Sequence, residues 1–174
     1  MANSASCGQL AEILLQSEAA VVLVAALLHS LVPIAAEKRR GPTPILLPHA
    51  RELASLLECN ESEVESDPVG YRLRAAELHQ AIVLVKGVTS HVVTPEAQAW
   101  TYKGGAPGLG VSGSGDTLAG IVGGLMARGA DPLTALLWGV LLHGEAGEAL
   151  ARKVGPVGFL AREIPDEIPQ LVAR

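Results

Sequence analysis

The residue in this chain best suited to chemistry is Asp116, within the stretch Ser112-Gly113-Ser114-Gly115-Asp116 and just ahead of an apolar run. Gly113, Ser114 and Gly115 can present consecutive backbone N–H groups at a helix start. Unpaired donors and the helix dipole there favour an anion. The pattern is therefore a phosphate cradle with a carboxylate in its rim. A carboxylate repels a phosphate, so its presence calls for a role such as accepting or orienting the proton of a hydroxyl under phosphorylation. The alternative is an acid that decorates the first turn of a helix, and the local chemistry leaves both readings open.

An overlapping pattern, Gly108-x-Gly110-x-x-Gly113, has the glycine spacing of a dinucleotide-binding turn. That turn requires a buried strand directly before the glycines and an acidic residue about twenty positions later. The preceding "AWTYKGGAP" is no buried strand, and Asp131 reads as the cap of the next helix. The dinucleotide reading fails on context. Gly120, Gly123 and Gly124 each cost the helix about 1 kcal/mol relative to Ala. Helix–sheet contact is the expected reason at Gly123 and Gly124.

The elements that must position Asp116 follow from periodicity. A helix is expected over 8–16, a strand over 21–24 and a helix from there to about 40, broken by Gly41-Pro-Thr-Pro44. A short strand over 45–47 precedes a helix over 49–57. Residues 59–67 read as an acidic loop, with Asp67-Pro68 capping the next helix. The aliphatic run 81–85 is the clearest strand, ended by Lys86-Gly87. "HVVT" and "AWTY" form a hairpin around Pro95-Glu96-Ala97. A glycine-rich loop over 103–113 leads to helices over 114–128 and 132–153, and a proline-containing tail holds a short last helix. The alternation predicts a single α/β domain over 1–174, with a mostly parallel sheet covered by helices.

Composition narrows the function. The 174 residues are 49% hydrophobic and only 3% aromatic, which suits an aliphatic core of close helix–sheet layers. A net charge of -5 argues against a nucleic-acid backbone as partner. Cys7 and Cys59 read as reduced thiols of a cytoplasmic protein, and the five histidines lack metal-ligand spacing. The apolar segment 19–36 contains His29, Ser30 and Pro33, so it reads as a strand and helix, with no membrane association expected.

Three segments in order carry a family resemblance: "ILLPHAREL", "VLVKGVTSHV", and the long stretch from "GGAPGLGVSGSGDTLAG" to "LLHGEAGEALA". Together they resemble the ADP/ATP-dependent NAD(P)H-hydrate dehydratases of the ribokinase-like superfamily. The resemblance implies a three-layer α/β/α fold and a hydro-lyase that repairs (S)-NADHX or (S)-NADPHX to NADH or NADPH. It implies ADP or ATP as co-substrate, ADP being preferred in the bacterial branch, with Mg²⁺ travelling on the nucleotide phosphates. The family's nucleotide-binding Lys-Gly-x-x-Thr segment falls on Lys86, Gly87, Val88, Thr89 and Ser90, and the glycine before the motif Asp is Gly115. Asp116 corresponds to the catalytic, substrate-contacting Asp, and His49 to the substrate-binding His. The residues themselves also allow Lys86 as a solvated lysine in a turn and His49 as a polar residue at a helix start.

Ser90 stands where the family has Thr, Arg51 where it has Gly, and Val24 where an Asp is expected. Family members run about a hundred residues longer, so the resemblance implies an N-terminally truncated domain whose uncovered sheet favours homo-oligomer formation. Two other functions fit the same motif. One is a hydroxyethylthiazole-type small-molecule kinase, and the other a non-catalytic nucleotide-binding subunit.

Overall fold

The computed structural model describes residues 4–33 and 36–173. The chain divides into two compact units, Met1–Thr101 and Tyr102–Arg174.

The first unit is built on a sheet of strand order β1-β2-β3-β4-β5. The strands are β1 (Val22–Leu23), β2 (Ile45–Leu46), β3 (Ile82–Val85), β4 (Ser90–Val93) and β5 (Ala99–Tyr102). β1, β2 and β3 are parallel, with Leu23 opposite Leu46 and Leu46 opposite Val83. β4 joins β3 antiparallel, Val83 opposite Val93. All four residues of β3 are buried, as a continuous aliphatic run in a covered parallel strand must be. Thr94 N–H donates to Gln98 O across the hairpin turn, and Ala97 takes the left-handed conformation there (φ 62°).

The helices of this unit are α1 (Ser4–Leu15), α2 (Ala50–Leu56), α3 (Glu61–Ser66) and α4 (Pro68–His79). Their apolar faces join β1–β4 in one core around Leu23, Leu46, Leu53, Ala75 and Val83. α4 starts as expected, Asp67 Oδ1 accepting from Gly70 N–H at 2.9 Å with Pro68 in the first turn.

Two expectations fail in this unit. The helix expected up to residue 40 is absent. In its place stand single 3₁₀ turns at Ala25–Leu27 and Ala36–Lys38, and residues 34–35 lie outside the described residues. Ala25, two residues after β1, has φ 50°, which no right-handed helix admits, and Pro33 disfavours helical geometry at the preceding residue. The acidic loop over 59–67 is instead mostly α3. Asn60 N–H donates to Glu63 Oε2 at 2.8 Å in a capping box, the acids of the first turn suit the helix dipole, and Val64 is buried below.

The second unit contains α5 (Ser114–Ala127), α6 (Pro132–Val154) and α7 (Ile164–Val172). 3₁₀ turns stand at Pro107–Gly110 and Ala161–Glu163. Its own small core includes Ala146, Leu150, Phe159 and Ile164. No helix among the described residues is long and apolar enough to cross a membrane.

The glycines of α5 also depart from expectation. A Cβ built on Gly120, Gly123 or Gly124 meets nothing within 4 Å, so no close packing explains them. Close approach occurs on α6. There a Cβ at Gly139 would strike Val122, at Gly144 the Tyr102 ring, and at Gly147 the Leu109 side chain.

Candidate functional site

In the first unit the parallel register brings the C-terminal ends of β1, β2 and β3 to one end of the sheet. Residues 24, 47–49 and 86–90 leave the sheet there, the end at which open α/β sheets hold their ligands. Register therefore brings the exits of His49 and Lys86 to one sheet end, from segments 37 residues apart in sequence.

His49 is the N-cap of α2. Its Nδ1 accepts from Glu52 N–H at 3.3 Å, and its own N–H donates to Glu52 Oε2 at 2.9 Å. This reciprocal pair gives the histidine a helix-start role whatever else it does. A ring nitrogen that accepts cannot hold the proton, so the neutral imidazole carries its hydrogen on Nε2. Nε2 lies 3.5 Å from Glu52 Oε1, on a side chain 55% exposed. Arg51 sits comfortably inside α2 and faces Glu61 Oε2 at 3.4 Å, so the missing glycine leaves the helix start intact. Val24 follows β1 in extended geometry and starts the first 3₁₀ turn without a side-chain cap.

Lys86 to Thr89 form the turn between β3 and β4, with Ser90 opening β4. Lys86, Thr89 and Ser90 are half-buried, whereas Gly87 and Val88 are exposed.

In the second unit, Gly113 is the N-cap of α5 at φ 87°, left-handed geometry that glycine adopts without strain. Ser114 N–H donates to Val111 O at 3.2 Å, so it is already engaged within the loop. The backbone N–H groups of Gly113, Gly115 and Asp116 have no acceptor among the described residues. Of the three nominated donors, Gly113, Ser114 and Gly115, the Ser114 N–H is thus engaged within the loop. The Asp116 side chain is exposed, one turn into the dipole's positive end.

This turn is held by groups that sequence reasoning did not nominate. Tyr102 packs against Gly144, and Leu109 against Gly147, two notches one helical turn apart on α6. Gly105 N–H donates to Glu148 Oε1 at 3.0 Å, and Gly108 N–H to Pro156 O at 2.8 Å, with Phe159 packed where a Cβ on Gly108 would stand. Thr117 Oγ1 donates to Gly113 O at 3.1 Å and reaches Ala161 O at 3.3 Å. The Tyr102 hydroxyl is buried without a hydrogen-bond partner among the described residues. Burial first, then the charges of Glu145 and Glu148, push it above the usual phenol range. The available signal was the Gly144-x-x-Gly147 spacing in a helix, which marks a groove for a packed side chain.

Two cavities stand out among the described residues. One of about 10 Å³ in the first unit is bordered by Arg39 and His79 and holds at most a single water. The other, about 220 Å³, lies between α6 and α7 beside Lys153 and Glu167. None of the residues nominated from sequence lines either one. No three His, Cys, Asp or Glu residues among those described gather as a metal cage.

Comparison with known proteins agrees with these motifs. The family model described as NAD(P)H-hydrate dehydratase matches residues 3–170. The chain is 51% identical over 130 residues to the ADP-dependent (S)-NAD(P)H-hydrate dehydratase of Xanthomonas campestris, which covers 75% of this chain and 45% of that protein. The ADP/ATP-dependent NAD(P)H-hydrate dehydratase of Bacillus subtilis, co-crystallised with ATP/Mg²⁺ and soaked with CoA, superposes with a TM-score of 0.82 at 29% identity. That match covers 92% of this chain and 58% of the Bacillus chain. A ribokinase-like superfamily protein of Enterococcus faecalis shares the fold at a TM-score of 0.78 and 19% identity, over 95% of this chain and 57% of that one. The matches span between about a quarter and about half the length of the curated relatives. By the extent of the family match, this chain belongs to the NAD(P)H-hydrate dehydratase family.

Proposed function

We propose that this chain serves the ADP- or ATP-dependent dehydration of (S)-NADHX and (S)-NADPHX to NADH and NADPH, a hydro-lyase repair reaction in the cytoplasm. The observation that carries the reading is the start of α5. There the unpaired N–H groups of Gly113 and Gly115 adjoin an exposed carboxylate on Asp116. Family membership supplies the substrate class.

Hydroxide is a poor leaving group. Transfer of a phosphoryl group to the C6 hydroxyl of the hydrated nicotinamide turns it into a good one. The ring nitrogen lone pair then expels phosphate, and loss of a ring proton restores the dihydropyridine. In this reading Asp116 accepts or orients the hydroxyl proton, and the Gly113 and Gly115 N–H groups stabilise charge on the transferring phosphoryl. Lys86, with Gly87, Val88, Thr89 and Ser90, takes the nucleotide. A compact ammonium at a strand end suits a phosphate, and the Thr89 and Ser90 hydroxyls add donors. His49 offers its Nε2–H to an acceptor on the substrate. Magnesium enters on the nucleotide phosphates and offsets their charge. Self-association belongs to the same reading, because β1 is a sheet edge with an open row of backbone groups.

Recovery of near-ultraviolet dihydronicotinamide absorbance from NADHX, with and without ADP or ATP, tests the proposal. Nucleotide-dependent recovery is expected. A stable phosphate ester in place of NADH overturns it in favour of a kinase. Nucleotide binding without any turnover overturns it in favour of a non-catalytic subunit.

A further inference from the structure

His143 lies on α6, beside the notch at Gly144, and its Nε2 is 3.0 Å from Ser114 Oγ and 3.1 Å from Ser114 O. A carbonyl oxygen only accepts, so the short contact to Ser114 O puts a hydrogen on Nε2. That one N–H is then shared between the carbonyl and the hydroxyl oxygen of the same residue. Ser114 is only 4% exposed and His143 is half-buried, so this bond is partly withdrawn from solvent.

The consequence falls on its neighbours. Ser114 is held from one side by its own N–H on Val111 O and from the other by His143. It is the residue between Gly113 and Gly115, whose N–H groups are unpaired. Gly113 has no side chain with which to cap the helix, and no side-chain cap bond is made there. Two glycines flanking a single residue have wide conformational freedom. Thr117 fixes Gly113 O from within the helix, and the way Ser114 is held fixes the residue between the two glycines.

We propose that His143 is a positioning residue for this anion-binding turn, acting through Ser114 to fix the directions of the Gly113 and Gly115 N–H groups. The inference rests on the nucleotide reaction proposed above, in which those N–H groups meet a phosphoryl group. His143 itself does not touch the reacting atoms.

Backbone ¹⁵N–¹H spectra of the full chain, titrated with ADP and separately with inorganic phosphate, test it. In the wild type the Gly113 and Gly115 amides shift saturably. His143→Leu weakens ADP binding about tenfold and scatters those two amide resonances, as loss of one buried hydrogen bond predicts. His143→Gln, which restores an N–H donor at similar reach, recovers affinity to within about twofold. Melting temperature is followed in parallel. If His143→Leu does not fold, His143→Gln alone decides, because a role in bulk packing leaves its Gly113 and Gly115 shifts altered. Wild-type shifts and affinity in His143→Leu overturn the proposal. Absence of amide shifts in the wild type overturns the nucleotide reading and this inference with it. Amide shifts without NADH recovery overturn the reaction alone and leave the positioning role standing.

Discussion

His79 is one group through which acid weakens this fold. It ends α4, is 6% exposed, and its Nε2 has no hydrogen-bond partner among the described residues. Burial lowers its pKa from 6.5 to about 4, because an imidazolium there leaves water without compensation. Above pH 6.5 the ring is neutral in folded and unfolded chains alike, and it imposes no pH dependence. Between pH 6.5 and about 4 the unfolded chain binds the proton while the native state does not, so stability falls as pH falls. At roughly 1.4 kcal/mol per pH unit, the full loss is about 3 kcal/mol, a large part of an ordinary domain's stability. Below about pH 4 both states are protonated and this contribution stops growing.

Urea unfolding at several pH values, followed by circular dichroism, measures the slope. Subtracting the same curve for His79→Leu isolates the histidine from the carboxylates, which also titrate. His79→Leu is expected to be close to neutral at pH 7, since it removes an unsatisfied buried polar atom at nearly constant volume. Below pH 6 it is expected to be the more stable protein. Parallel curves for the two proteins across the window would refute the reasoning and place the ring in contact with water.

Two further expectations concern the proposed site. Asp116→Asn should keep the fold and nucleotide affinity while turnover falls by about 10² to 10⁴, the usual weight of a general base, and unchanged turnover would remove that role. His49→Ala should cost about 1 kcal/mol in thermal unfolding through loss of the α2 cap. His49→Asn should restore that cap and still raise the KM for NADHX several-fold; an unaltered KM in that variant would make His49 a cap only.

Much of the fold follows from short-range chemistry. The aliphatic run at 82–85 could only be a covered strand, and Asp67-Pro68 and Asp131-Pro132 start helices because each Asp accepts a first-turn N–H. α3 was equally legible, because Asn60 and Glu63 have the capping-box spacing; charge counting alone hid it. The stretch after β1 was not legible. A mostly apolar run reads as helix, and although Pro33 marked a break, nothing local announces that Ala25 takes a positive φ.

The amino-acid order alone determined the family, the three motif segments and the start of α5 at Gly113. These depend on residue types at fixed short spacings, which survive any packing. The tertiary structure decided which donors are free and what holds them. Ser114 N–H turned inward to Val111, His143 came back across 29 residues to grip Ser114, and Tyr102 and Leu109 found their seats at Gly144 and Gly147. Register did the same for His49 and Lys86, since only pairing of β2 with β3 brings the two strand exits to one end of the sheet. Apart from the local Ser114–Val111 bond, these contacts join residues far apart in the chain, and no local spacing encodes them.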